Sequence, residues 1–272
     1  MRMGGKPVPF GFDEEDLVNI VDALRSRPSL DLCGIHLFAG TQILDPDVLI
    51  PQWSHALALA RHMSDLLARP VASVDLGGGL GIPYFSGEVR LDLSQIKSQI
   101  SALSRLVRSD GRLCTAQIVI EPGRYLVGPC GIYLARVRAV KTSRGSRFLI
   151  TDGGMHHHLA ASGNLGQIVK RDFPIVAPAR MDVVDLLPCT IVGPLCTPLD
   201  TLARQVHLPD LKAGDLIAIL QSGAYGLTAS PIEFLSHATP AEILIDGGKA
   251  ALIRERQHAG EGAQQTRKEQ SV

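Results

Sequence analysis

The stretch IVIEPGRYLVGPCGIY, residues 118–133, sets an acid, Glu121, at the end of the apolar run Ile118, Val119, Ile120. A carboxylate where a buried strand ends calls for a cation or a protonated ring, because an unpaired buried charge is costly. Pro122 then fixes a bend, Gly123 offers a backbone amide, and Arg124 offers a guanidinium suited to a phosphate or a carboxylate. A plain salt bridge between Glu121 and Arg124 would satisfy the same residues. In VDLGGGLGIPY, residues 74–84, the glycines Gly77, Gly78, Gly79 and Gly81 follow an apolar strand. Their N–H groups could wrap a phosphate, and glycine admits the positive φ such a nest requires. The dinucleotide pattern G-x-G-x-x-G is not met, since its sixth position is Ile82 counted from Gly77 and Tyr84 counted from Gly79. A tight turn would account for the same glycines.

GIHLFAGTQ, residues 34–42, puts His36 and Phe38 on one face of a strand and ends in Gly40 and Thr41. Phe38 could lie flat against a planar ring and Thr41 could donate to an anion, with core packing as the alternative. In the second half, VGPLCTPLD (192–200) gathers Cys196 and Asp200 in a Gly/Pro-punctuated loop, and QSGAYG (221–226) holds Tyr225 between small residues. Polar groups on loops of a rigid scaffold are common functional positions. A lone cysteine, however, is more often a small packed hydrophobe. The run His156, His157, His158 invites a metal reading. On a strand, alternate residues face opposite ways, so at most His156 and His158 converge, without thiolate or carboxylate company, and no metal is expected.

These residues need elements to hold them. DEEDLVNIVDALRSR (13–27) places Leu17, Ile20, Val21 and Leu24 at helical spacing behind an Asp13 cap, and residues 45–68 and 91–107 repeat that period. Apolar runs near 32–38, 71–76 and 116–121 read as strands, giving parallel βα units with both sheet faces covered. Beyond Gly123 the pattern turns to strands punctuated by turns, including TSRG (142–145) and LKAGD (211–215). The organisation expected is an α/β part over residues 1–127, a β-rich domain over 128–256 and a disordered polar tail over 257–272. Three βα units are few: a closed (β/α)8 barrel takes ~250 residues, and a three-stranded open sheet leaves edges unpaired.

Composition narrows the function classes. The chain of 272 residues carries 27 basic and 27 acidic side chains, so no global field favours nucleic acid. Its 5 cysteines are scattered without pair spacing, which suggests neither a disulfide framework nor a zinc site and fits a reducing compartment. With no signal-like apolar core and no run near the ~18 residues of a membrane span, the sequence reads as cytoplasmic, with small molecules or proteins as partners.

Taken together and in this order, GIHLFAGTQ, VDLGGGLGIPY, EPGRYLVGPCG, TDGGMHHHL, VGPLCTPLD and QSGAYG resemble the signatures of the alanine-racemase-fold, pyridoxal 5'-phosphate-dependent decarboxylases that act on diaminopimelate, ornithine and arginine. Within that family, MGGKPVPFGFD, FAGTQ and GPLCTPLD look most like the branch found with exosortase loci and with carrier-protein-linked substrates. The resemblance implies a fold of α/β plus β: the last three βα units of a partial TIM-type barrel, then a β-rich, barrel-like domain. It implies that Glu121 pairs with the pyridine nitrogen of the cofactor, and that Thr41, Gly79, Gly123, Arg124 and Tyr225 lie about its phosphate, with Gly77 and Gly78 in the same cofactor-binding turn. Cys196 falls on the position that reaches the neighbouring subunit's cofactor and protonates the product carbanion, which implies a homodimer with a shared site. Arg124, Thr197 and Asp200 fall at the substrate.

Three departures qualify what the resemblance implies. Phe38 stands where the family stacks a histidine on the cofactor, so stacking survives but a ring nitrogen does not. Thr197 stands where the diamino-acid enzymes carry an acid for the distal amine, which argues against a free diamino-acid substrate. The Schiff-base lysine has no counterpart: none of Lys6, Lys97, Lys141, Lys170, Lys212, Lys249 or Lys268 matches its context, and the family pattern is already under way at Met3-Gly4-Gly5. The expectation is an amino-acid decarboxylase whose early strands and lysine precede this sequence. Its rivals are a non-catalytic homologue that binds a partner and an amino-acid racemase of the same fold. Racemases of this fold set an arginine at the pyridine nitrogen, so Glu121 argues for the decarboxylase.

Overall fold

The computed structural model describes residues 7–38, 40–85, 87–167 and 169–257. The tail expected to be disordered lies, beyond Gln257, outside the described residues, as do Lys6 and Lys268. By backbone contacts the described residues form two compact units, one within 7–83 and 87–126, the other within 84–85 and 127–257.

Unit 1 is built on three short parallel strands, β1 (Gly34–His36), β2 (Ser73–Asp75) and β3 (Gln117–Val119), in that spatial order. The N-terminal amphipathic segment is a single 3-10 turn, Glu14–Asp16, followed by α1 (Leu17–Arg25). Asp13 makes no side-chain cap bond, and of the predicted face Val21 is buried while Leu17, Ile20 and Leu24 are half-buried. The crossover from β1 to β2 is α2 (Pro46–Leu67). Its start is specified by Asp45, whose side chain accepts from Asp47 N–H, and by Pro46 in the first turn, where a missing N–H costs nothing. Ala68 in the left-handed conformation closes it. Leu49, Trp53, Ala56, Leu57, Ala60 and Met63 recur along one face of α2 and form the centre of the core with Val71, Val74 and Leu113. The second crossover is α3 (Leu93–Ser109), capped by Asp92, which accepts from Ser94 and Gln95 N–H.

The expectation that both sheet faces are covered fails at β3. Ile118 on β3, an edge strand of the sheet, is 38% exposed. After β3 the chain bends into a short helix, α4 (Gly123–Val127).

Unit 2 is a sheet domain. Its six-stranded sheet runs β6-β9-β4-β5-β7-β8, with β4 at Tyr133–Ser143, β5 at Ser146–Thr151, β6 at Ile175–Val176, β7 at Leu187–Val192, β8 at Thr201–Leu208 and β9 at Leu216–Ile219. All pairs are antiparallel except β5 with β7. Val137, Leu149, Ile191, Leu202, Ile217 and Ile219 face inward and are almost fully buried. The β4–β5 hairpin closes at Arg144 and Gly145, both at positive φ, the two-residue turn that matches strand twist. A separate hairpin joins β10 (Glu242–Asp246) to β11 (Lys249–Arg254). Among the described residues no helix is long and apolar enough to cross a membrane.

Candidate functional site

Register within the parallel sheet of unit 1 gathers three titratable side chains at the ends of its strands. His36, the last residue of β1, pairs with Asp75, the last of β2, and Asp75 pairs with Val119, the last of β3. Glu121 follows two residues later, its backbone N–H held by Gly77 O at 2.9 Å. One ligating atom from each of His36, Asp75 and Glu121 lies within 4.8 Å of the others. Glu121 Oε2 is 3.4 Å from His36 Nε2, and both side chains are about half exposed. The partner that the structure gives Glu121 is therefore an imidazole, not the guanidinium that the sequence offered as its alternative. Asp75 is turned to the backbone, with Oδ1 accepting from Gly77 N–H at 2.8 Å.

The glycines after β2 are forced by close approach. A Cβ on Gly77 would stand 2.2 Å from Leu37 O, and one on Gly78 would stand 2.5 Å from Glu121 O. The turn thus locks to the ends of both neighbouring strands, which is the tight-turn reading of this motif. It also leaves donors over: among the described residues the N–H groups of Gly78 and Gly79 have no partner. Thr41 is half-buried after β1, and Phe38 presents 39% of its surface. Gly123 N–H is already spent on Glu121 O at 2.9 Å, and Arg124 is half-buried in the first turn of α4.

In unit 2 the loop after β9 is strapped to the segment before β4. Ser222 N–H donates to Gly131 O and Gly223 N–H to Gly128 O, and a Cβ on Gly223 would stand 1.8 Å from Val127 O. At the tip of that loop Tyr225 is half exposed and takes φ +55°, a conformation that a bulky residue adopts only when its surroundings enforce it. The loop 193–200 carries an exposed Cys196 and a half-buried Thr197. Asp200, expected at the substrate, is drawn into the interior of unit 2. It is 2% exposed, and its two oxygens accept from Met155 N–H at 2.7 Å and Leu195 N–H at 2.8 Å. Both acceptor sites face backbone, so Asp200 clasps residues 154–155 to 193–195, and burial pushes its carboxyl upward.

The three consecutive histidines follow that clasp. They occupy a turn rather than a strand, and all three are buried. His157 Nε2 donates to Ala238 O at 2.7 Å, which leaves Nδ1 to accept from the Tyr133 hydroxyl at 3.1 Å. His158 Nδ1 accepts from Ala161 N–H at 3.4 Å. Burial lowers His156 to about 3 and His158 to about 4, and the neighbouring His157 and His237 push His156 the same way. Among the described residues these nitrogens form no group of three close enough to share an ion. Sequence reasoning missed the clasp, and it missed Asp75, whose only sequence mark is its place at the end of VDL before the glycines.

Over residues 20–223 the sequence matches the family described as pyridoxal-dependent decarboxylase, C-terminal sheet domain. The chain belongs to that family. The L-glutamyl-[BtrI acyl-carrier protein] decarboxylase of Niallia circulans is 42% identical over 257 residues, which cover 93% of this chain and 60% of that protein. The diaminopimelate decarboxylase of Methanothermobacter thermautotrophicus is 32% identical over 261 residues, covering 93% of this chain and 58% of that one. The crystal structure of diaminopimelate decarboxylase from Helicobacter pylori complexed with L-lysine superposes with a TM-score of 0.77 at 26% identity, covering 99% of this chain and 63% of that one. The chain spans about three fifths of the length of the curated relatives it matches. The family's description, a pyridoxal-dependent decarboxylase with a sheet domain, agrees with the family and cofactor class that the motifs imply.

Proposed function

We propose that this chain forms the cofactor-nitrogen and product-protonation parts of a pyridoxal 5'-phosphate-dependent decarboxylase that acts on an amino acid, in a form linked to a carrier protein. The observation that carries the reading is Glu121, a half-exposed carboxylate held at the ends of three parallel strands with an imidazole at its back. The residues fit the cofactor: a carboxylate for the ring nitrogen, two unpartnered glycine amides and a hydroxyl at Thr41 for the phosphate, and an exposed Phe38 face for the ring. When bound, the cofactor supplies an electron sink for the pair left when the α-carboxylate departs. Glu121 keeps a proton on the ring nitrogen, because a carboxylate there favours the cationic form. Gly77 supports that turn, Gly123 and Arg124 border it, and Tyr225 is a further phosphate contact that the resemblance implies. Thr197 sits where a cationic substrate end would need an acid, so a neutral, carrier-linked end suits it. Asp200 serves the substrate loop through its backbone clasp rather than by contact.

In this reading residues 1–127 are the final βα units of a partial TIM-type barrel and residues 128–256 are the β-rich domain. Two copies form a homodimer in which Cys196 returns a proton to the product at the other copy's site. A second reading is favoured by one observation. Lys97, Lys141 and Lys249 sit on α3, β4 and β11 and Lys170 and Lys212 in loops, none of them at the end of a unit 1 strand. A chain that binds the cofactor without an imine lysine would act as a non-catalytic partner. The test is equilibrium dialysis of the purified chain against pyridoxal 5'-phosphate, with release of carbon dioxide from glutamyl-loaded carrier protein followed in parallel. Saturable binding lost in Glu121→Ala is the expected result, with carbon dioxide released by the longer protein that also holds the family's Schiff-base lysine. Binding without release by that longer protein selects the second reading, and no binding refutes both.

A further inference from the structure

Glu121 is exposed on one side and has long, rotatable torsions, so by itself it would sample several positions. Something must choose among them if its carboxylate is to meet a ring nitrogen in one place. The structure supplies one candidate. His36 is fixed at the root by β1, whose register with β2 is continuous over Gly34↔Ser73, Ile35↔Val74 and His36↔Asp75. From that fixed strand end its Nε2 reaches Glu121 Oε2 at 3.4 Å. Asp75 lies in the same group of three but has one oxygen engaged by Gly77 N–H, so it is part of the turn and is not free to take the place of Glu121.

We propose that His36 is a positioning residue for Glu121: by donating from Nε2 to one carboxylate oxygen it holds the other oxygen toward the bound cofactor's ring nitrogen. The inference rests on the functional reading above. His36 touches neither substrate nor reacting atoms in this role and acts only through Glu121. Two consequences distinguish it from a residue that merely packs. A side chain that can still donate from a similar place restores the effect, and removing Glu121 makes His36 irrelevant.

The experiment measures the dissociation constant of pyridoxal 5'-phosphate, by the change in cofactor absorbance, for the full chain and four variants. These are His36→Leu, His36→Gln, Glu121→Ala and the double variant His36→Leu with Glu121→Ala. A chelator is present throughout, since a histidine and two carboxylates within 4.8 Å could also take up a divalent cation. A hydrogen bond to a charged group sets the scale, so His36→Leu is expected to weaken binding by about tenfold. His36→Gln recovers most of that loss through its amide donor, and His36→Leu adds nothing in the Glu121→Ala background. Circular dichroism melts show that each variant is folded. If His36→Leu binds as tightly as the parent while Glu121→Ala does not, the positioning role is wrong and the cofactor site stands. If the loss is the same with and without Glu121, His36 acts on its own and the proposal is equally overturned. If neither the parent nor Glu121→Ala binds, the functional reading falls and this inference with it.

Discussion

The buried histidines make unit 2 sensitive to mild acid, and the size of the effect follows from their environment. His156 and His158 are each 1% exposed, and burial disfavours the imidazolium. Their pKa values fall from 6.5 to about 3 and about 4. A lowered folded-state pKa means that the unfolded chain binds more protons between those values and 6.5. Stability is therefore fully present above pH 6.5 and is lost as pH falls through that window. At pH 5 both imidazoles are charged when unfolded and neutral when folded, which costs about 2 kcal/mol each, or about 4 kcal/mol together, at ~1.36 kcal/mol per pKa unit. His157, also lowered by burial, adds to the loss. Against a typical domain stability of about 5–15 kcal/mol this is a large fraction. Urea unfolding followed by far-UV circular dichroism at pH 7.5 and pH 5 measures it. Trp53, the chain's single tryptophan, is buried in unit 1, where every histidine is exposed, so its fluorescence gives an internal reference that this mechanism leaves in place. His156→Gln should shrink the difference between the two pH values by about 2 kcal/mol, since one titrating group is gone. Equal unit 2 stability at pH 5 and 7.5, within about 1 kcal/mol, would refute the reasoning.

Three further outcomes test the packing argument. Asp200→Ala strands the Met155 and Leu195 amides and should destabilise unit 2 by about 3 kcal/mol or more in urea, with the Trp53 transition unchanged. Trp53→Phe, read by circular dichroism, should cost unit 1 about 1–3 kcal/mol because the residue is 1% exposed at the centre of the core; a loss under 0.5 kcal/mol would mean that the core is looser than described. Gly78→Ala places a methyl 2.5 Å from Glu121 O, so it should both lower unit 1 stability and weaken cofactor binding, whereas unchanged binding would uncouple the turn from Glu121.

How much of this was legible in the sequence depends on the range of the interactions. α2 and α3 could be read to within two residues at most ends, because Asp45 and Asp92 cap them locally and their apolar period is carried by their own residues. β8 was not foreseen: Gln205 in its middle takes φ +55° and breaks the alternation that marks a strand. The histidine run was read as a strand for a similar reason. Its turn is set by Asp200, more than 40 residues later, and no local pattern records that clasp. The approach of His36 to Glu121 was equally hidden, since it comes from register between strands that the sequence separates by two helices.

The glycine turn shows why the two readings of a motif need not compete. Gly77 and Gly78 are required because Leu37 O and Glu121 O come within reach of any side chain there, which is a packing constraint. Yet the carbonyl that excludes a methyl at Gly78 belongs to Glu121, and Glu121 N–H is in turn held by Gly77 O. The same contact that demands glycine therefore fixes the backbone of the residue proposed to meet the cofactor nitrogen. A turn made only to reverse the chain would not need to touch that residue twice. Its carboxylate lies 3.4 Å from His36 Nε2 on β1, so Glu121 is held at its backbone by one strand end and met at its carboxylate by another. That arrangement accounts for a half-exposed acid at a strand terminus without invoking Arg124, and it places the chemistry on strand ends, where backbone pairing fixes positions more closely than a loop does.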